Sequence, residues 1–208
     1  MKLDLHIHSK YSHDGILDPR EIITIAKERG LDGIAITDHN TIRGGLEAKK
    51  YETEDFKVII GAEIMTEKGE VTGLFLSEEV SSRDFQGVVT GIKAQGGIVV
   101  VPHPFDTLRR SAFHITGEYA GLVDAIEGFN SRCIFNRYNR KAVEFATRHN
   151  LPVVGGSDAH YANEIGLAGI ITQSGDIKEA IMGNNLTLFG KQSSIINHGR
   201  TKIRKLRG

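Results

Sequence analysis

The sequence has one cysteine, no net charge and no long apolar run, and each absence narrows the functions open to it. A single cysteine, Cys133, cannot form a disulfide within the chain and is typical of the reducing cytoplasm. The 26 basic and 26 acidic residues cancel, so no overall field attracts nucleic acid or a membrane surface. No apolar run approaches a membrane span, and the N-terminal residues lack a signal-peptide layout. We therefore expect a cytoplasmic protein without a membrane partner.

Length and composition favour one globular domain. The chain has 208 residues, of which 39% are hydrophobic and 25% charged, enough for a sizeable core. We assign residues 1–194 to this domain and residues 195–208 to a basic C-terminal tail, which we expect to be a disordered, solvated end. The oligomeric state is left open by the sequence. The basic residues of the tail are Arg200, Lys202, Arg204, Lys205 and Arg207.

Strand and helix patterns alternate along the chain. Apolar runs at 31–37 and 98–101 are typical of buried strands, and Asp18 with Pro19 begins an amphipathic helix, with Glu21 completing a capping box. Seven or eight strands alternating with helices favour a parallel sheet. Because polar residues gather at strand C-terminal ends, we predict that the sheet closes into a barrel with its chemistry there. The alternative is an open doubly wound sheet, although no G-x-G-x-x-G sequence follows a strand.

The stretch Leu3–Gly15 carries the first chemical signal. Alternation along a strand sends His6 and His8 to one face, where both imidazoles can point at the same ion. Asp14 follows in a polar loop that ends in glycine, so its carboxylate can turn back toward the strand. A surface strand can also carry two histidines by chance, and this stretch alone leaves both interpretations open.

The same kind of strand end recurs down the chain. Histidine, aspartate and glutamate are ligands for divalent ions of intermediate hardness, such as zinc, manganese and iron. The set is too large for one ion and could serve two or three, an arrangement that activates water for phosphoryl displacement. The residues are His6, His8, Asp14, Asp38, His39, Glu63, Glu70, His103, Asp158 and His160.

In their order these motifs resemble the PHP family, the polymerase and histidinol phosphatase family of metal-dependent phosphoesterases. The resemblance implies an α/β fold, a distorted (β/α)7 TIM-like barrel of the PHP type, with up to three metals at the C-terminal mouth. It covers the chain from Met1 to about Ser194. The motifs that carry it are H-I-H at 6–8, S-H-D-G at 12–15, T-D-H at 37–39, G-A-E at 61–63, P-H-P at 102–104 and G-S-D-A-H at 156–160.

The resemblance also implies how the ligands are shared among Mn²⁺, Zn²⁺ or Fe²⁺ ions. His13 is then a loop neighbour. For Asp38 the residues themselves leave a second interpretation open, in which it orients His39 and does not bind metal. The first ion would take His6, His8, Glu63 and Asp158; the second would share Glu63 and take His103; the third would take Asp14, His39 and His160.

Glu70 is the clearest departure from the family pattern. Many members carry histidine just after the leading glycine of the fourth strand, as a ligand of the second ion. A carboxylate there would be a harder ligand and would shift the metal preference. The alternative is an exposed glutamate at the start of a strand, without a role in metal binding.

The phosphate-binding side has three candidates. We favour Asn130 and Arg132, which follow a strand end, because an arginine there can hold a phosphate with two hydrogen bonds. The pair Arg109–Arg110 and the segment Lys191–Ser193 are the others. Cys133 has no neighbouring base in the sequence, and we interpret it as a packing residue.

These observations predict a metal-dependent phosphoesterase. A metal-activated water would attack phosphorus, Arg132 would stabilise the developing charge, and His103 or His160 would donate a proton to the leaving oxygen. By resemblance, the substrates are phosphomonoesters, nucleotides or short oligonucleotide ends. Histidinol phosphate is an alternative substrate, and a metal-stabilised, non-catalytic nucleic-acid-binding module that uses the basic tail is an alternative function.

Overall fold

A computed structural model describes residues 1–205 and contains, within that range, nine strands and six α-helices. The strands are β1 (Lys2–Ile7), β2 (Gly33–Ile36), β3 (Lys57–Thr66), β4 (Gly69–Leu74), β5 (Ile98–Val101), β6 (Ala125–Asn130), β7 (Val153–Gly156), β8 (Ala168–Ile171) and β9 (Thr187–Gly190). The helices are α1 (Pro19–Glu28), α2 (Arg43–Lys49), α3 (Phe85–Ala94), α4 (Asn136–Arg148), α5 (Ile177–Met182) and α6 (Ile195–Lys205).

The strands form one sheet that nearly closes into a barrel. Its order is β7-β6-β5-β4-β3-β2-β1-β8-β9. The residues just after β7 return to β1, because the main-chain N–H of His8 donates to Ala159 O at 2.9 Å and that of Ala159 donates to His6 O at 3.2 Å. The predicted α/β barrel is thereby confirmed.

The prediction of a parallel sheet was wrong for two strands. β4 runs antiparallel to both β3 and β5, and β8 runs antiparallel to both β1 and β9. The reason is local for β4: only Glu67 and Lys68 separate it from β3, and so short a connection can join only antiparallel neighbours. The remaining pairs from β1 to β3 and from β5 to β7 are parallel.

Helix starts follow the capping side chains. α1 begins at Pro19 as predicted, and Asp18 caps it by accepting a hydrogen bond from Arg20 N at 2.9 Å. Helices α3 and α5 begin directly after Asp84 and Asp176, which are their N-caps. Each of these carboxylates accepts from the main-chain N–H three residues on, which satisfies a donor that the first helical turn leaves unpaired.

The apolar core separates the two ends of the barrel. One cluster takes residues from eight strands, β1 to β8, and α5 packs Ile177 and Ile181 against it. Such a filled interior is a packed core and not a pore. The polar residues that end the strands are therefore held at the opposite, C-terminal mouth.

The C-terminal segment differs from the prediction of a disordered tail. It forms helix α6 between Ile195 and Lys205, and its residues Asn197 and Thr201 are buried. Arg207, which we counted among the basic residues of the tail, lies outside the described residues. Among the helices of residues 1–205, none combines the length and apolar character needed to cross a membrane.

Candidate metal centre

The first candidate ligands come from β1 and the residue that follows it. Alternation along the strand turns His6 and His8 to one side, and their Nε2 atoms lie 3.1 Å apart. Both rings are buried, and burial together with His160 and His39 lowers the pKa of His8 to about 4. A neutral imidazole keeps the lone pair that a metal ion needs. The two histidines of the period-two pattern thus share one location.

Asp158 reaches the same location across the seam of the barrel. Gly156 permits the approach, because a Cβ at this position would lie 2.3 Å from the Cβ of His6. Asp158 has a φ of 56°, a left-handed conformation that costs a non-glycine residue about 1–3 kcal/mol. Its Oδ1 lies 3.3 Å from Nε2 of His8 and 3.8 Å from Nε2 of His6. The strained backbone therefore directs this carboxylate toward the histidines of β1.

Glu63, on β3, lies at the centre of the cluster. Its Oε1 is 3.5 Å from Nε2 of His6 and 3.0 Å from Nε2 of His103. Its Oε2 is 3.4 Å from Nε2 of His8 and 3.2 Å from Nδ1 of His39. Burial opposes ionisation, but His6 and His103 outweigh it and hold the pKa of Glu63 well below its usual range. One ionised carboxylate can therefore serve ligand sets on both of its sides.

A third group of side chains surrounds Asp14. Its Oδ2 lies 2.9 Å from Nε2 of His160 and 3.4 Å from Nε2 of His39. Burial would raise the pKa of Asp14, but these two imidazoles hold it well below its ordinary range. The side chain of His13 is 59% exposed, and its Nε2 is 3.9 Å from the same oxygen. This placement agrees with the interpretation of His13 as a loop neighbour.

Glu70 and His103 lie beside Glu63 on its other flank. Glu70 is only 4% exposed, so it is not the exposed glutamate that the sequence left open. Its Oε2 is 3.7 Å from Nε2 of His103 and its Oε1 is 3.6 Å from Nδ1 of His39. Burial and the Glu63 carboxylate raise the pKa of Glu70. A divalent cation at this position would favour the ionised form of both carboxylates.

The spacing of these atoms suits metal coordination. Four ligand atoms arranged as a tetrahedron, each about 2.1 Å from an ion, lie about 3.4 Å from one another. Nε2 of His6, Nε2 of His8 and Oδ1 of Asp158 lie 3.1 to 3.8 Å from one another. One oxygen of Glu63 lies 3.5 Å from His6, and the other lies 3.4 Å from His8. Within the described residues, Oδ1 of Asp158 is buried and accepts no hydrogen bond. The mixed nitrogen and oxygen donors therefore fit divalent ions.

Glu127, on β6, is a buried site residue that the sequence analysis missed. Its Oε1 accepts a hydrogen bond from Nδ1 of His6 at 2.9 Å, which leaves Nε2 of that ring facing the cluster. Its Oε2 accepts from the main-chain N–H of His103 at 2.8 Å and from Nδ2 of Asn130 at 2.9 Å. The signal was a lone carboxylate inside the apolar strand AIEGFN. Glu127 thus orients two candidate ligands at once.

We expect Glu127→Gln to weaken metal binding by about 10–100-fold while the chain stays folded. Glutamine has only one side-chain oxygen that can accept a hydrogen bond. Its NH2 group must therefore face at least one of the three donors that now bond to Glu127. Isothermal titration with Mn²⁺ measures the effect, with Glu144→Gln as the control, because Glu144 is an exposed glutamate on α4. Equal affinities in the two variants would show that Glu127 does not orient the ligands.

The residues predicted for phosphate binding, Asn130 and Arg132, lie at the site, but their side chains bond to other residues of the protein. Asn130 is fully buried and donates to Glu127 and, at 3.3 Å, to Oδ2 of Asp158. Arg132 directs Nη1 to Glu164 at 3.3 Å and Nη2 to Oγ1 of Thr201 at 2.9 Å. The polar groups of both side chains are therefore already hydrogen-bonded within the protein.

Asp38, which the sequence placed near His39, contacts a serine. Asp38 accepts hydrogen bonds from the N–H and the hydroxyl of Ser9, at 2.6 and 2.7 Å. The main-chain N–H of His39 donates instead to Oγ of Ser12 at 2.9 Å, and the same hydroxyl lies 3.1 Å from Nδ1 of His8. Ser12 therefore joins the main chain of His39 to the ring of His8, while Asp38 holds Ser9.

A cavity of about 410 Å³ opens over the cluster. Its lining includes the candidate ligands Glu63, Asp158 and His160 and the basic or histidine side chains of Arg109, Arg110, Arg132 and His198. Nη1 of Arg109 is 2.6 Å from Oδ2 of Asp158, and its side chain is 22% exposed. The second sequence candidate for phosphate binding, Arg109, thus lies directly beside the ligands.

Comparisons with known proteins found relatives of this chain. A protein of Methanocaldococcus jannaschii without a characterised function is 40% identical over 155 residues, which are 69% of this chain and 86% of that protein. A 5'-3' exoribonuclease of Haemophilus influenzae is 42% identical over 66 residues, 31% of this chain and 24% of that protein.

A solved structure shares the fold. It is a two-domain protein of Bacteroides vulgatus containing a predicted PHP-like metal-dependent phosphoesterase, with a TM-score of 0.76 and 19% identity, covering 98% of this chain and 69% of that one. The family model described as the PHP domain matches residues 4–192. The chain belongs to the PHP domain family.

Proposed function

We propose that the protein hydrolyses phosphoesters with the help of divalent metal ions. The observation that carries this proposal is the convergence of five histidines and four carboxylates at the mouth of the barrel. These side chains come from separate strand ends, and so many buried titratable groups at one location are costly unless cations pair with the carboxylates. Because a cavity opens over these side chains, a substrate could reach bound ions, and this favours a catalytic use of the site.

Three ligand sets follow from the contacts. His6, His8 and Asp158, with Glu63 in contact with both histidines, would hold the first ion; Glu63, Glu70 and His103 the second; and Asp14, His39 and His160 the third. The donor types favour Mn²⁺, Zn²⁺ or Fe²⁺. When bound, such ions lower the pKa of coordinated water and stabilise negative charge on phosphoryl oxygens.

The protein's own groups would bind and orient the phosphate. Arg109 is best placed, because its guanidinium contacts Asp158 and also lines the cavity. Arg132, the arginine that the sequence favoured, also lines the cavity, but Glu164 and Thr201 hold its guanidinium. We assign phosphate binding to Arg109 and a supporting position to Arg132 and Asn130.

Proton donation to the leaving oxygen is assigned to His160. Both candidates are buried, but within the described residues the cavity lining includes His160 and not His103. Nδ1 of His160 lies 2.9 Å from the main-chain oxygen of Asp158, and this contact fixes the ring so that Nε2 faces Asp14. Because an imidazole bound to metal donates poorly, this role requires the ring to leave its ligand set during turnover.

The proposed substrates are phosphomonoesters, with nucleotides foremost. The cavity volume is within the range of small-molecule sites and suits a ligand of nucleotide size. Short oligonucleotide ends are a second candidate, supported by the match to the exoribonuclease. We place the protein in the cytoplasm on the basis of its lone, buried cysteine.

Hydrolysis of 4-nitrophenyl phosphate with added Mn²⁺, before and after chelation, tests the proposal. We expect turnover that is lost with chelator and restored by excess metal. Binding of oligonucleotide without any hydrolysis would favour the non-catalytic module instead.

Glu70→Gln is expected to weaken the second ligand set and slow hydrolysis by about 10-fold or more. The substitution keeps the shape of the side chain but removes the charge that faces His103 and His39. Glu70→His, which restores an imidazole, is expected to retain activity with a preference shifted toward zinc. Metal content and rate are measured for both variants. A wild-type stoichiometry and rate in Glu70→Gln would remove Glu70 from the metal centre.

A further inference from the structure

Helix α6 forms a wall of the cavity although it lies beyond the residues matched by the family model. The match ends at residue 192, and α6 begins at Ile195. His198 and Thr201, one turn apart on one face of α6, both line the cavity. Ile195 and Ile196 point away from it and are 67% and 68% exposed. The helix thus presents a polar face to the site.

Buried contacts hold α6 in this position. Nη2 of Arg132 donates to Oγ1 of Thr201 at 2.9 Å and to the main-chain oxygen of Asn197 at 3.4 Å. Just before the helix, Ser193 N donates to Ser131 O at 2.7 Å, and its hydroxyl donates to Oε1 of Glu164 at 2.6 Å. Because the guanidinium of Arg132 is itself buried, its contacts fix α6 to the folded domain.

The distribution of charge shows which part of a substrate would meet α6. A phosphate is attracted by the divalent ions that the ligands would hold and by the guanidinium of Arg109, which contacts Asp158. The rest of the ligand must then extend along the remaining cavity surface, where α6 places His198. Burial, with Arg132 and Arg109 nearby, lowers the pKa of His198 and so favours the neutral form of its ring. A neutral imidazole can donate one hydrogen bond and accept another, which suits an uncharged alcohol or base.

We propose that helix α6 selects the leaving group and that His198 hydrogen-bonds to the nucleoside part of a nucleoside monophosphate. This inference rests on the proposed phosphoesterase function, since it takes the phosphate to bind at the metal centre. It makes His198 a specificity-determining residue, and Arg132 a positioning residue that acts through Thr201.

Binding of two probes to the Mn²⁺-loaded full chain tests this inference by calorimetry. The probes are inorganic phosphate and the thiophosphate analogue of adenosine monophosphate, which replaces the nucleotide itself so that turnover does not obscure binding. We expect His198→Ala to weaken binding of the nucleotide by about tenfold, the value of one good hydrogen bond, and to leave phosphate binding within about twofold. His198→Gln, which keeps a donor and an acceptor, is expected to recover most of the affinity. Ile196→Ala, on the exposed face of the same helix, is the control and should match the wild type.

The outcomes separate the two proposals. Nucleotide affinity that is unchanged in His198→Ala, or equal losses for nucleotide and phosphate, would overturn the role of His198, as would a wild-type chain that does not bind the nucleotide. Failure of the phosphoesterase proposal has a different signature: the wild type binds both probes but hydrolyses neither the nucleotide nor 4-nitrophenyl phosphate.

Discussion

His8→Ala is expected to lower phosphoester hydrolysis more than about 100-fold without unfolding the chain. His8 contributes to two ligand groups, because its Nε2 lies near Glu63 and Asp158 while its ring packs 4.4 Å from that of His160. Loss of a partner that only orients a ligand already costs about 10–100-fold, and loss of the ligand itself should cost more. Turnover, metal content and thermal unfolding are measured together.

His13→Ala is the matched control for this prediction. It removes a histidine from the same loop whose side chain is mostly exposed. We expect rate and metal content close to those of the wild type. Near-normal turnover in His8→Ala, or an equal loss in both variants, would contradict the assignment of His8 as a ligand.

Glu63→Gln is expected to have the broadest effect of any single substitution at the site. Its two oxygens contact four imidazoles, those of His6, His8, His39 and His103. An amide keeps one oxygen and replaces the other with a donor, so it cannot serve both flanks. We predict the loss of at least one bound ion per chain, with turnover reduced by more than about 100-fold.

Glu54→Gln, at an exposed position before β3, controls for the removal of one negative charge from the chain. Metal stoichiometry is read by elemental analysis after dialysis. Full occupancy in Glu63→Gln would mean that Glu63 fills a structural position between sites that the histidines complete without it.

The ligand candidates could be predicted from the sequence because strand geometry alone brings them together. Period two aligns His6 with His8, and the parallel strands of a barrel bring their C-terminal ends to one mouth. Glu63 and Asp158 then arrive from different strands at the same edge. These are consequences of local pattern, which a sequence displays directly.

The supporting residues could not be assigned in the same way. Glu127 lies within β6, and only the fold reveals that it faces His6 and His103. Arg109 lies in an irregular segment, so no periodicity fixes where its guanidinium reaches. The basic composition of the tail concealed the role of α6, whose packing depends on the buried Arg132. Tertiary contacts, which a sequence does not display, determine all three.

Anomalous X-ray diffraction from Mn²⁺-loaded crystals tests the central claim most directly. The account predicts strong peaks at the barrel mouth, with the first between His6, His8, Glu63 and Asp158 and another beside Asp14, His39 and His160. Absence of peaks at these two groups, in crystals of a protein that retains metal-dependent hydrolysis, would contradict it.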